Sequence, residues 1–465
     1  MIRLFGHHVS GLQLLLGLLE FLLFLSALHL GVAVRFHGQL PHDIAPGDPW
    51  ITGIVFALLL SLSLASMGLY QRRTQDGDAG FVVRLGVAFA IGTAVLALLF
   101  YLFPAIFMGR GILAWSLLFS FVGTVLLRIA FYRIAGAESQ KRRVLVLGAG
   151  VNAARISDLA NVGDRPGYLV VGYVPLPGSQ PMLGDQKLLT QNVSLLELAI
   201  AHNIDEIVVA ADDRRSKLPV GELLDCKLSG FAVLDLLTFF EQELALVKID
   251  LLHPSWIFFS RDGFKVGVTG LYGKRLMDLV LGSLMLLLAA PVMLLVILAS
   301  LIESRGRAPV FYHQIRVGQG GLPFRLHKFR SMRVDAEADG RPLWAEKGDP
   351  RITRLGAFMR HTRLDELPQL FNVLKGQMSL VGPRPERPEF VERLTTGIPY
   401  YAERHRVKPG LTGWAQLLYP YGSDEDDAKR KLEYDLYYVK HAGVFLDLII
   451  LLQTVEVVLL GKGAR

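Results

Sequence analysis

Four apolar runs crowd the first third of the chain, at about 10–34, 51–70, 81–103 and 111–131. Each is near the ~20 residues that a helix needs to cross ~30 Å of hydrocarbon. Lipid offers no partner for a bare backbone amide, so runs of this length fold as helices. A four-helix transmembrane bundle over 1–140 is the expectation. The first run is too long for a removable signal peptide and lacks a small-residue cleavage site. Arg72 and Arg73 lie between runs two and three, and Lys141, Arg142 and Arg143 follow run four. The first loop instead carries Asp43 and Asp48, with Arg35 only at the membrane edge. The positive-inside rule therefore puts both ends of the bundle in the cytoplasm.

The rest of the 465 residues leaves room for one or two further units. A hydrophobic fraction of 52% and a mean hydropathy of +0.39 agree with a bilayer protein. The net charge of +7 suits an anionic membrane surface or phosphorylated substrates. Nucleic acid is not expected, because the basic residues lie beside membrane segments rather than interleaved with aromatics on an exposed face. A single cysteine, Cys226, excludes an intrachain disulfide and a cysteine-based zinc cluster.

Residues 141–250 change character. Arg143–Gly148 reads as a buried strand, and further strand signals fall at Tyr168–Val174, Asp205–Ala211 and Phe231–Leu237, with a helical run at Leu195–His202. Strands alternating with helices predict a parallel, Rossmann-like α/β module. Gly148-Ala-Gly150 resembles the start of a dinucleotide fingerprint, but Ala153 replaces the third glycine. A non-catalytic module is therefore expected. A linker over 251–273 leads to an apolar segment, 274–303, with Pro291 near its middle. Proline removes a donor and disfavours helix before it, so a kink or break is expected there. Basic residues at both ends (Lys274 and Arg275, then Arg305 and Arg307) favour a re-entrant helix over a fifth span.

From 304 to 465 the sequence is globular and basic. Phe324-Arg-Leu-His-Lys-Phe-Arg330 alternates as a strand does, with one face turned to an anionic site. Arg316, Lys328, Arg330 and Arg360 are candidates for a pyrophosphate, since guanidinium forks and a lysine point charge suit its oxygens. Pro368 fits only a first helical turn, so Asp365 and Glu366 lie at or just before a helix N-terminus. Alone, the pair reads equally well as an acidic cap. Adjacent residues point about 100° apart, so one carboxylate could face phosphorus while the other holds a metal. Pro383-Arg384-Pro385-Glu386 supplies a rigid turn with an arginine between two prolines. Such a set suits phosphoryl transfer assisted by Mg²⁺.

Seven motifs, in order over about 270–440, then define a resemblance. They are Lys274-Arg-Leu-Met-Asp278, Phe311–Gly318, Lys328–Met332, Leu364–Gln369, Ser379–Glu386, Lys408–Trp414 and Tyr434–Tyr438, together with the Pro291-interrupted helix. The chain resembles bacterial polyprenyl-phosphate hexose-1-phosphate transferases, the long monotopic phosphoglycosyl transferases of the sugar-transferase family. Its Met1–Phe5 start resembles the exosortase-associated branch. The resemblance implies an enzyme of the cytoplasmic membrane, multi-pass, with its catalytic domain on the cytoplasmic face. A UDP-sugar would give its hexose-1-phosphate to undecaprenyl phosphate, releasing UMP and starting exopolysaccharide repeat-unit assembly. It implies Asp365 as nucleophile and Glu366 as Mg²⁺ ligand. Lys328, Arg360, Arg384 and Asp435 match positions around the phosphates or metal, with Arg316, Arg330, Pro383 and Pro385 as further substrate-binding candidates. It also implies membrane lipids as partners, and a homodimer and polysaccharide-assembly proteins are added expectations. The competing class is a non-catalytic membrane scaffold for polysaccharide assembly. His327, His361 and His405 are expected to be structural, because UMP leaves as a phosphate and needs no proton. Asp424–Asp427 reads as a solvated loop, and Val444–Leu460 as an interfacial helix or oligomer contact.

Overall fold

The computed structural model describes residues 2–4, 7–9, 11–36, 49–70, 78–134, 141–162, 167–176, 182, 188–189, 193–212, 218–259, 264, 268–334, 336, 349–419 and 424–459. Arg72, Arg73, Asp43 and Asp48, which carry the expected orientation, lie outside the described residues. The chain divides into two compact units, one of 11–61 with 70–252, the other of 1–10, 62–69 and 253–465.

A short antiparallel pair, β1 (Ile2–Leu4) and β2 (His7–Val9), precedes four helices: α1 (Gly11–Arg35), α2 (Pro49–Ser66), α3 (Asp78–Leu102) and α4 (Arg110–Ile134). Helices α1, α3 and α4 are long and apolar enough to cross a membrane. The second is shorter than the sequence pattern suggested. It stops at Ser66, where Leu69 N–H reaches back to the Leu64 carbonyl and closes the helix. Along α4 the buried positions Ser116, Ser120, Thr124 and Arg128 recur every fourth residue, facing α1. On α1 Leu16, Glu20, Phe24, Ala27 and Gly31 are buried at helical spacing. Small side chains let helices approach in lipid, where no hydrophobic effect drives them together.

The α/β module has the predicted parallel sheet. Its strands β3 (Arg142–Leu147), β4 (Tyr168–Val174), β5 (Glu206–Val209) and β6 (Ala232–Asp235) are ordered β4-β3-β5-β6. Between and after them run α5 (Val151–Val162), α6 (Leu195–Ala201), α7 (Val220–Leu228) and α8 (Leu236–Leu244). Val144 and Val146 of β3 pack with α5 and α8 residues such as Ile156 and Phe239. Leu145 and Leu147 pack instead with Leu198 of α6 and Cys226 of α7. A strand covered on both faces reads as an unbroken apolar run, which is what Val144–Leu147 is.

The main part of the second unit, 253–465, begins with α9 (Pro254–Phe259) and α10 (Val268–Ser304). Here the expectation of a helix broken at Pro291 is corrected. Helix α10 runs unbroken for 37 residues with Pro291 inside it. Proline's fixed φ is itself helical, and its cost is one lost backbone bond and crowding of the preceding turn. After α10 come the antiparallel pair β7 (Phe311–Val317) and β8 (Pro323–Phe329), then α11 (Arg354–His361), α12 (Gln369–Leu374), β9 (Ser379–Val381), α13 (Pro388–Gly397), β10 (Gly410–Thr412), α14 (Trp414–Leu418), α15 (Glu425–His441) and α16 (Val444–Leu459). Strands β9 and β10 pair in parallel. The core joins Phe324 and Leu326 of β8, Leu370 and Val373 of α12, Tyr438 of α15, and Leu446 and Ile450 of α16. The C-terminal apolar helix α16 thus packs one face into this core, while Leu448, Val455 and Val458 stay exposed.

Candidate functional site

Three segments bring the charged residues together: β8, the turn after α11, and the loop after β9. Arg363 takes a left-handed conformation (φ 56°), reversing the chain into a 3-10 turn over Leu364–Glu366. Pro368 then precedes α12, so the carboxylates do sit just before a helix N-terminus. Asn372 of α12 is fully buried, and its side chain behaves like a strand edge. Its Oδ1 accepts the His327 N–H at 3.1 Å, and its Nδ2 donates to the Arg325 carbonyl at 2.8 Å. This fixes α12, and the acidic turn before it, against β8 beside Lys328.

Lys328 Nζ donates to Glu366 Oε1 at 2.8 Å, and Arg384 donates to the same oxygen at 3.0 Å. Burial pushes the Glu366 carboxyl up, but the Lys328 and Arg384 charges outweigh it and hold the group well below the usual carboxylate range. Asp365 is 7% exposed. Burial raises its carboxyl pKa; Lys328 opposes that rise, and the neighbouring Glu366 charge adds to it. The adjacent acids therefore differ electrostatically: Glu366 is the fixed anion among cations, and Asp365 the desolvated one.

Lys328 reaches the acidic turn from the same side of β8 as the apolar Phe324 and Leu326, and its basic neighbours do not. Phe324, Leu326 and Lys328 alternate toward one side of β8, and the exposed Arg325 lies on the other. Arg360 on α11 bonds Ser331 Oγ at 3.0 Å and biases Asp365 through its charge. Arg316 donates to the Pro385 carbonyl at 3.1 Å and lies 3.5 Å from Glu386. Its guanidinium steadies the Pro383-Arg384-Pro385 turn. Arg330 donates to the Pro309 and Met332 carbonyls, and no contact joins it to the Asp365–Glu366 group among the described residues. Asp435 is buried and receives two bonds from Arg404, which also donates to the Arg384 carbonyl. Arg404 and Asn372 were not singled out by the sequence. Arg404 lies one residue before His405 in a run of basic residues, a pattern that does not separate a buried arginine from a solvated one.

Several motif residues prove to be framework. Lys274 donates to the Val381 carbonyl, the Tyr438 hydroxyl and Asp447, while Arg275 donates to the Val373 and Leu374 carbonyls at the end of α12. Asp278 accepts from Ser379 Oγ and Leu380 N–H, both at 2.9 Å. A side chain on Gly410 would put Cβ 2.0 Å from the Gly382 nitrogen, so β10 can press on the loop after β9 only without one. His405 is kept neutral, its pKa pushed down to about 4 by burial and by Arg404. Asp424–Asp427, expected as a solvated loop, opens α15 instead, Asp424 capping the helix reciprocally with Asp427.

In the α/β module the Gly148–Gly150 turn does face a helix N-terminus. There the Asp212 carboxylate accepts Val151 N–H at 3.1 Å and Asn152 N–H at 2.8 Å. A Cβ on Gly150 would lie 1.7 Å from Asp212 Oδ2. The position that a dinucleotide pyrophosphate takes on such a fold is held by the chain's own carboxylate.

A divalent cation fits the acidic turn. Mg²⁺ takes oxygen ligands and usually binds through one or two carboxylates plus substrate phosphates. Lys328 and Arg384 both bond Glu366 Oε1, which leaves Oε2 and Asp365 as candidate donors. No cluster of three or more acidic, histidine or cysteine ligands occurs among the described residues, so a dedicated protein cage is not present there.

Residues 269–461 match the family model described as bacterial sugar transferase. The chain is 35% identical over 364 residues to a UDP-glucose:undecaprenyl-phosphate glucose-1-phosphate transferase of Escherichia coli (strain K12), covering 76% of each. It is 36% identical over 342 residues to the protein of that name in Klebsiella pneumoniae, covering 72% of this chain and 71% of the relative. A UDP-N-acetylgalactosamine-undecaprenyl-phosphate N-acetylgalactosaminephosphotransferase of Aeromonas hydrophila is 41% identical over 243 residues, or 52% of this chain and 56% of the relative.

Proposed function

Because this chain belongs to the bacterial sugar transferase family, we propose that it moves a hexose-1-phosphate from a UDP-sugar onto undecaprenyl phosphate through a covalent intermediate on Asp365. The carrying observation is the electrostatic split between the two carboxylates, with Lys328 and Arg384 committed to Glu366 and Asp365 desolvated beside them.

In the first step an Asp365 carboxylate oxygen attacks the sugar-proximal phosphorus. The phosphoanhydride bond breaks, its electron pair leaves with UMP, and a mixed anhydride joins Asp365 to the sugar phosphate. In the second step an oxygen of the lipid phosphate attacks the same phosphorus and frees Asp365. One phosphoanhydride is exchanged for another, so the residues contribute positioning and charge rather than driving force. Lys328, Arg360 and Arg384 offset the charge of the phosphates. Glu366 orients Lys328 and Arg384, and with Asp365 would hold Mg²⁺, whose charge would further neutralise the phosphates.

The lipid acceptor requires the site to lie at a bilayer surface, and the packing of α10 supports that. At ~1.5 Å per residue a helix of this length spans ~55 Å, yet it touches one domain from end to end. Asp278 bonds β9, Leu281 and Leu286 pack on the core with α12, Met293 and Val296 pack with Phe329 and Met359, and Glu303 bonds Leu355 N–H. The opposite face exposes Leu287, Leu288, Leu294 and Leu295. A helix so attached, bent at Pro291, would dip into the membrane and keep both ends on the side of the catalytic domain, which is the cytoplasmic side on the charge pattern.

The test uses the purified full chain with several UDP-sugars and no lipid. UMP release and a phosphosugar adduct on Asp365 are expected, both lost in Asp365→Asn. Full turnover by that variant would overturn the assignment.

A further inference from the structure

A cavity of about 390 Å³ opens where the last turn of α10 meets the start of α11. Its walls include Glu303, Ser304, Arg330, Arg333, Val334 and Arg354. Among the described residues the guanidinium groups of Arg333 and Arg354 have no hydrogen-bond or ion-pair partner. Glu303 is turned to the Leu355 N–H, and Thr353 Oγ1 takes the Gly356 N–H. The first amides of α11 are thus partly used, and it is the arginines that remain for an anion. Val334 in the cavity wall is 70% exposed, and on the adjoining turns of α10 and α11 Ile302 is 77% and Phe358 57% exposed. Water satisfies the guanidinium groups but not the exposed apolar side chains beside them. At a bilayer boundary apolar side chains enter the acyl region while arginines meet headgroup phosphates.

We propose that this cavity binds the headgroup phosphate of an anionic phospholipid, seating the end of α10 at the membrane surface. Guanidinium forks match phosphate oxygens in pairs, and the apolar rim favours a phosphate that carries acyl chains over a free one. The site is separate from Asp365 and needs no part of the transfer reaction.

The experiment counts bound molecules by native mass spectrometry on the full chain in non-ionic detergent. The probes are short-chain phosphatidylglycerol, short-chain phosphatidylcholine, inorganic phosphate and UDP-glucose, each titrated alone, then UDP-glucose against phosphatidylglycerol. Saturable phosphatidylglycerol binding is expected, about 30-fold weaker when Arg333→Gln and Arg354→Gln are combined, and largely kept when both are lysine. If the double variant does not fold, Arg354→Gln alone is expected to weaken binding about fivefold. Unchanged affinity in a folded glutamine variant overturns the proposal. So does inorganic phosphate or phosphatidylcholine binding as tightly as phosphatidylglycerol, and so does displacement by UDP-glucose, which would make the cavity part of the donor site.

Discussion

Arg404 donates from Nε and Nη2 to one oxygen of Asp435, at 3.0 and 2.7 Å, and the same Nη2 donates to the Arg384 carbonyl at 3.0 Å. A buried ion pair thus fixes the backbone from which Arg384 reaches Glu366. Arg316 holds the next carbonyl in the loop's path, that of Pro385, from β7. Asp435 acts on the site through this arrangement, as a positioning residue.

Asp435→Asn leaves Arg404 as an uncompensated buried charge, a loss of about 3–5 kcal/mol. Arg404→Lys keeps the charge but lacks the fork that bonds Asp435 and Arg384 together. Both variants are expected to melt earlier than the parent. Arg404→Lys is also expected to lose UMP release beyond what its stability loss explains, measured well below its melting point. Full single-turnover activity in that variant would separate the ion pair from catalysis.

Asn372→Ala removes the side chain that pairs with both the His327 N–H and the Arg325 carbonyl. An unsatisfied buried backbone group costs about 1–3 kcal/mol. Thermal unfolding should show that loss, and UMP release should fall as Lys328 drifts from Glu366. Asn372→Ala matching the parent in both measurements would show that β8 and α12 hold register without it.

Much of this was legible in the sequence, and the parts that were not share a cause. The long spans, the parallel sheet and the acidic turn before Pro368 follow from period, length and proline, which are local. The helix through Pro291 was not legible, because whether a proline ends a helix depends on what packs around it, and here the core flanks it on either side through Ala289 and Met293. That Arg330 and Arg316 bond backbone carbonyls was not legible either, because composition cannot tell a guanidinium facing a substrate from one facing a carbonyl. Asp212 was equally hidden, since it lies some sixty residues from the glycine turn it fills.

On the proposed mechanism Asp365 must be ionised to attack, and burial raises its pKa. The acid limb of the rate should therefore lie above the ordinary aspartate value of about 3.9. Lys328 favours the ionised form, so Lys328→Met should move that limb to higher pH as well as lower the plateau. A pH profile of UMP release under single-turnover conditions reads the limb separately from the plateau. A limb that stays in place or moves to lower pH would mean that another group controls the rate.

In the bundle, Arg128 Nε lies 2.5 Å from Glu20 Oε1, and Nη2 lies 3.1 Å from Oε2, joining α4 to α1 with both side chains buried. The guanidinium also stands over the rings of Tyr70 and Phe81, at 5.5 and 5.6 Å. Neither charge has water to turn to, so neutralising one strands the other. Glu20→Gln or Arg128→Gln alone should cost about 3–5 kcal/mol, whereas Glu20→Leu with Arg128→Met should recover much of that loss, because apolar replacement of a buried pair is often neutral. Thermal unfolding of the detergent-solubilised full chain distinguishes these outcomes. Single variants as stable as the parent would mean that the α1–α4 contact rests on its small-residue packing, with the ion pair contributing nothing measurable.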